Sequence, residues 1–65
     1  MKGVRLLDRF LRKVGDVRAW AKKHGLHEST LSRLRHGERK PSMEMAARIA
    51  KATRGKVPGA AWINL

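Results

Sequence analysis

Side chains able to recognise a nucleic-acid base are concentrated in residues 27–36. The guanidinium of Arg33 can donate two hydrogen bonds to O6 and N7 of guanine, which is the commonest specific contact to a base. The carboxylate of Glu28 can accept from the amino group of cytosine, and the methyl of Thr30 can contact the methyl of thymine. We therefore predict a base-reading set in this segment, formed by Glu28, Ser29, Thr30, Ser32, Arg33 and His36.

Polar residues around this segment suit contacts to the phosphate backbone, which fix the register of a protein on DNA but carry no sequence information. The predicted phosphate set is Asp16, Arg18, His27, Arg35, Arg39, Lys40 and Ser42. Two alternatives stay open for residues in these sets. Arg33 and Arg35 could form an ordinary solvated basic face, and Glu28 could simply complement the dipole at a helix N-terminus.

Catalysis and metal binding have little support in the sequence. The chain has no cysteine, its five acidic residues are scattered, and its serines and histidines lack an acid that would orient a catalytic base. His24 and His27 straddle a predicted turn without nearby carboxylates, so we expect no metal site. Trp20 and Trp62 could stack on bases, but Trp20 is expected in the core and Trp62 in the core or a dimer interface. We predict a non-enzyme with no cofactor, metal ion or small-molecule substrate.

The length and charge of the chain favour one small domain with a polyanionic partner. Sixty-five residues cannot form two separate hydrophobic cores. Sixteen basic against five acidic residues give a formal charge of +11, and the basic residues are interspersed with apolar ones. No apolar stretch approaches the ~20 residues needed to cross a bilayer, so no membrane is expected among the partners. The absence of cysteine agrees with a reducing, cytoplasmic location.

Glycines at positions 15, 25, 37 and 55 divide the chain into four segments of helical length. The predicted helices cover residues 2–14, 16–24, 28–35 and 42–53, including their caps. Asp16 and Ser42 are good N-caps, because their side chains can accept a hydrogen bond from a free backbone N–H. Residues 58–62 could form a short fifth helix or an extended edge segment. The predicted core is Leu7, Phe10, Leu11, Val17, Trp20, Ala21, Leu26, Leu31, Leu34, Met45, Ile49 and Val57.

Residues 16–36 have the spacing of a helix-turn-helix. Ala21 is small where two helices cross closely, and Gly25 can take the left-handed conformation of a tight turn. The stretch from residue 16 to residue 53 resembles the helix-turn-helix of small phage Cro proteins and repressors, the lambda repressor-like DNA-binding domains. The motifs that carry the resemblance are HESTLSRLRHG at 27–37, RKPS at 39–42 and AARIA at 46–50. His24 and His27 depart from the pattern, since the family more commonly has an apolar residue and a Ser or Thr there.

The resemblance implies a homodimer that places two recognition helices in successive major grooves of a roughly palindromic operator. We expect residues 1–65 to form an all-α, five-helix bundle, or alternatively an α+β fold in which residues 56–65 pair as strands, as in some Cro proteins. The favoured function is a Cro-type phage or prophage repressor, associated with the nucleoid in the cytoplasm of a bacterial host cell. The alternatives are an antitoxin-type autoregulator that also binds a protein partner, a membrane-active peptide based on residues 2–14, and an RNA-binding variant.

Overall fold

The computed structural model describes residues 2–63, which form four α-helices and a final turn of 3-10 helix. The helices are α1 (Lys2–Val14), α2 (Val17–Lys23), α3 (Glu28–Arg35) and α4 (Met43–Ala52), and the 3-10 turn is Gly59–Trp62. The predicted all-α class is confirmed, and the four predicted helices match the observed ones once their caps are counted. None of the helices within residues 2–63 is long and apolar enough to cross a membrane.

The fifth element of the predicted bundle is a 3-10 turn instead of an α-helix. Its backbone hydrogen bonds run from residue i to i−3, from Ala61 to Pro58 at 3.0 Å and from Ile63 to Ala60 at 3.2 Å, which is the 3-10 pattern. Ile63 takes an extended backbone conformation (φ −85°, ψ 123°), so the turn ends after four residues. The alternative in which residues 56–65 pair as strands is wrong for residues 56–63, because residues 2–63 form no strand. Residues 64 and 65 lie outside the described part of the chain.

Two side-chain N-caps and a glycine turn define the ends of helices in and beside the helix-turn-helix. The Asp16 carboxylate accepts from the backbone N–H of Ala19 at 3.0 Å, and the Ser42 hydroxyl accepts from that of Met45 at 3.1 Å. Both predicted N-caps are confirmed by these bonds. Gly25 has a positive φ of 69°, a conformation that glycine adopts without steric cost. It reverses the chain between α2 and α3 as predicted.

The core forms where α3 packs against α1 and α2, α1 packs against α2 and the 3-10 turn, and the 3-10 turn packs against α4. Most predicted core residues are buried, namely Leu7, Leu11, Ala21, Leu26, Leu31, Leu34, Ile49 and Val57. The other four, Phe10, Val17, Trp20 and Met45, are half-buried and pack against this cluster. Trp62 is also buried, which places it in the core. Its indole ring lies so close to Gly3 of α1 that a Cβ atom at position 3 would overlap it.

Candidate nucleic-acid interface

One face of α3 is turned away from the core. Leu31 and Leu34 are both 0% exposed and fix the rotation of the helix. At 100° per residue, four predicted base-reading residues fall within roughly 100° of arc on the opposite side. These residues, all exposed, are Ser29, Ser32, Arg33 and His36. Arg33 forms no salt bridge with any other residue of the described range 2–63, so its guanidinium is available to a ligand.

Glu28 and Thr30 lie on the two flanks of this face, because residues two positions apart point to nearly opposite sides of a helix. Glu28 is exposed and stands in the first turn of α3, where a carboxylate complements the helix dipole. Thr30 is half-buried. The six predicted base-reading residues therefore divide into four on the open face and one on each flank.

The start of α2 lies beside this face of α3. Asp16 and Arg18 line the same surface groove as Glu28, Ser29 and Ser32. Arg35 lines it as well, so the groove joins three residues of the predicted phosphate set to three of the base-reading set. The Asp16 carboxylate is already bound to the backbone of α2, and an ionised carboxylate can only accept hydrogen bonds. It serves this surface by capping α2, while Arg18 supplies the donors.

The connection between α3 and α4 carries three further residues of the predicted phosphate set. Arg39 and Lys40 are exposed, and so is Ser42 at the N-cap of α4. The Ser42 oxygen accepts the capping hydrogen bond, which leaves its O–H free to donate. His27 occupies the N-cap position of α3 without a side-chain capping bond, so its exposed imidazole is likewise free to donate.

Arg35 is held differently from the other residues of this set. It lines the groove between α2 and α3, but its side chain is only 21% exposed and is ion-paired with Asp8 of α1. The Nε and Nη2 atoms of Arg35 lie 2.9 and 2.8 Å from Oδ1 of Asp8. The Nε atom of Arg12 donates to Oδ2 of the same carboxylate at 2.9 Å.

Asp8 was not predicted as a site residue, but it pairs with Arg35, a residue of the predicted phosphate set. The hydrogen bond from Arg35 is the main cause that lowers the pKa of Asp8 below its ordinary value of 3.8, and Arg12 adds to the effect. One sequence signal was available, because Asp8 is the only acidic residue of α1, a helix with five basic residues. Its partner Arg35 is 27 residues away in sequence, so the pairing itself needed the fold.

Trp20 packs against the core, as predicted. Trp20 is half-buried, with its ring centroid 5.3 Å from that of Phe10 and 4.8 Å from that of His24. Trp20 therefore contributes to packing along α1 and α2. Within residues 2–63 no three His, Cys, Asp or Glu side chains are grouped closely enough to hold a metal ion.

A comparison with protein families gives a match to the helix-turn-helix family over residues 19–57. This match covers more than half of the chain and runs from α2 to the buried Val57. The chain belongs to the lambda repressor-like helix-turn-helix family. It is therefore a sequence-specific DNA-binding regulator, in a family whose members are generally not enzymes. No curated protein and no solved structure matches the chain.

Proposed function

We propose that this helix-turn-helix protein is a Cro-type repressor of phage or prophage origin, which binds a palindromic operator as a homodimer. The observation that carries the proposal is the open face of α3, where hydrogen-bonding side chains surround Arg33, which forms no salt bridge within residues 2–63. This face is bordered by cationic residues at the start of α2 and in the connection to α4. Such an arrangement suits a helix that enters the major groove between two phosphate backbones.

Base recognition is assigned to the open face and its flanks. Arg33 donates two hydrogen bonds to a guanine, and Ser29, Ser32 and His36 contact neighbouring base edges. Glu28 accepts from a cytosine amino group at the N-terminal end, and Thr30 contacts a thymine methyl from the other flank. Because α3 has eight residues and rises 1.5 Å per residue, it reaches along only about 12 Å of groove. One subunit therefore reads about three or four base pairs.

This short reach is the physical reason for proposing a dimer. Three or four base pairs recur too often in a genome to specify one promoter, whereas two copies related by a two-fold axis read twice as many. Arg18, Arg39, Lys40, Ser42 and His27 contact phosphates and set the register of each copy. Two bound copies cover a length of duplex from which they exclude RNA polymerase, and this exclusion represses transcription.

The proposal is tested by selecting bound sequences from a random duplex library. The selection is run at about 50 and about 200 mM salt. We expect a short palindrome whose half-site centres are about 10 base pairs apart. Sedimentation of the protein with the selected duplex is expected to give two protein chains for each duplex. Enrichment of a single unrepeated half-site would argue against the dimer. Failure to enrich any sequence, with binding lost at the higher salt, would leave only general polyanion binding.

A further inference from the structure

Arg35 combines two properties that oppose each other. Its side chain lines the groove shared by Arg18, Ser29 and Ser32, which is the surface proposed to meet DNA. However, its Nε and Nη2 atoms both donate to one carboxylate oxygen of Asp8. These two donors form the edge of the guanidinium that binds phosphate with two parallel hydrogen bonds. At this edge of Arg35, the carboxylate of Asp8 therefore occupies the position that a phosphate oxygen would need.

The second oxygen of Asp8 is also engaged, since it accepts from Arg12 at 2.9 Å. Arg12 is 75% exposed, whereas Arg35 is 21% exposed. Water and salt screen the Arg12 pair much more than the Arg35 pair. The electrostatic interaction of Asp8 is therefore mainly with Arg35.

We propose that Asp8 is an internal competitor of DNA: it occupies Arg35 and so limits the sequence-independent part of the binding affinity. The proposal rests on the DNA-binding surface described above but does not require a palindrome or a dimer. Arg35 is then a withheld phosphate contact, in contrast to Arg18 and Lys40, which are exposed and bind phosphate directly.

The salt dependence of DNA binding measures this effect. Each phosphate contact made by a cation adds about 0.9 to the magnitude of the slope of log K against log salt concentration. Replacing Asp8 by asparagine keeps the size of the side chain but removes the negative charge. Arg35 is then free to bind phosphate, and we expect the slope to steepen by about 0.9. Between 200 and 50 mM salt, that slope corresponds to an extra gain in affinity of about 3.5-fold.

Glu44→Gln provides a matched control, because it also removes one negative charge from a carboxylate paired with an arginine. Glu44 pairs with Arg48 at 3.3 Å on α4, and both side chains are more than half exposed. Neither of them lines the groove between α2 and α3. We therefore expect Glu44→Gln to leave the slope near the wild-type value.

The measurement is fluorescence anisotropy of a random-sequence duplex of fixed length, titrated with the full chain at several salt concentrations. Asp8→Asn should bind more tightly and with a steeper slope than wild type. Arg35→Gln alone should leave the slope unchanged, since Arg35 is already occupied. The double variant Asp8→Asn with Arg35→Gln should return to the wild-type slope. Circular dichroism checks whether each variant is folded. If Asp8→Asn does not fold, the slope measured for Arg35→Gln alone decides whether Arg35 contacts phosphate in the wild-type complex.

Three results would overturn the proposal. A shallower slope for Arg35→Gln would mean that Arg35 already contacts phosphate in the wild-type complex. Weaker binding by folded Asp8→Asn would mean that the carboxylate orients Arg35 toward DNA instead of withholding it. Equal steepening by Glu44→Gln would mean that only the total charge matters. Because random-sequence DNA is the ligand, failure of these tests is distinct from failure of the library selection to enrich an operator.

Discussion

Replacing Thr53 by valine tests whether a single buried hydroxyl fastens the end of the chain to α4. Thr53 is 1% exposed and is the one buried polar residue among residues 2–63. Its hydroxyl donates to the carbonyl of Ile49 at 2.8 Å and accepts from the backbone N–H of Val57 at 3.1 Å. It thereby ties the last turn of α4 to the segment that leads to Trp62.

The expected loss can be assigned to one group. Valine has almost the same shape as threonine and is also branched at Cβ, so packing and backbone preference change little. The Ile49 carbonyl keeps its helical hydrogen bond from the backbone N–H of Thr53 at 2.9 Å. The Val57 N–H, by contrast, loses its acceptor at a fully buried position. We expect Thr53→Val to lower the free energy of unfolding by about 1–3 kcal/mol, the cost of leaving a buried donor unsatisfied.

Thermal unfolding followed by circular dichroism measures this loss. In a domain of this size, 1 kcal/mol corresponds to a shift of roughly 4–8 °C in Tm. Thr53→Ser is the matched control, because it keeps the hydroxyl and loses one buried methyl, at a cost of about 0.5–1.5 kcal/mol. If Thr53→Val melted at or above the wild-type temperature while Thr53→Ser melted below it, methyl packing and not the hydrogen bond would hold this junction.

Three further predictions concern the recognition surface and α1. Arg33→Ala should lose about 1–3 kcal/mol of binding free energy on the selected operator and relax the preference at one base pair. Lys40→Ala should instead weaken binding to all sequences evenly. Equal losses on operator and random duplex for Arg33→Ala would contradict base readout. Gly3→Ala should lower Tm despite the higher helix propensity of alanine, because its Cβ would overlap the indole ring above it; an unchanged Tm would show that the ring can move aside. Since Arg35 lowers the pKa of Asp8, their interaction should stabilise the fold above about pH 3.8 and be lost as the pH falls through the lowered pKa. Urea unfolding of wild type and Asp8→Asn should therefore differ at pH 7 and converge as the pH falls below the lowered pKa, and a difference that stays constant through acidic pH would refute this linkage.

The features that could be predicted from the sequence depend on contacts between residues close together in the chain. The Asp16 and Ser42 caps each involve a backbone N–H three residues later, so the residue type and its position were sufficient. Leu31 and Leu34 are three residues apart and had to share one face of a helix. That face determined the opposite one, so the exposure of Ser29, Ser32, Arg33 and His36 followed as well.

The features that the sequence did not reveal depend on the packing of distant segments. Gly3 lies within the first predicted helix, and only the fold shows that its missing side chain makes room for Trp62. Thr53 looked like an ordinary helix end, and its burial follows from the path of the chain to Val57. A polar residue at the end of a helix is usually exposed, so residue type alone favoured the wrong environment.

Two kinds of interaction act on α3. Burial of its two leucines fixes its position, and the pairing of Asp8 with Arg35 affects the positive charge that it presents. Leu31 and Leu34 are completely buried and fix the position of α3 by packing, which contributes far more to stability than a partly exposed ion pair. Removing the Asp8 charge should therefore leave the orientation of α3 intact while changing the number of cations that DNA can reach. A substitution of Asp8 can therefore change the affinity for DNA without altering the residues that read bases. Apolar contacts thus set the position of the helix, while the proposed roles leave sequence preference to the open face and let the competition for Arg35 modulate the strength of binding to any DNA.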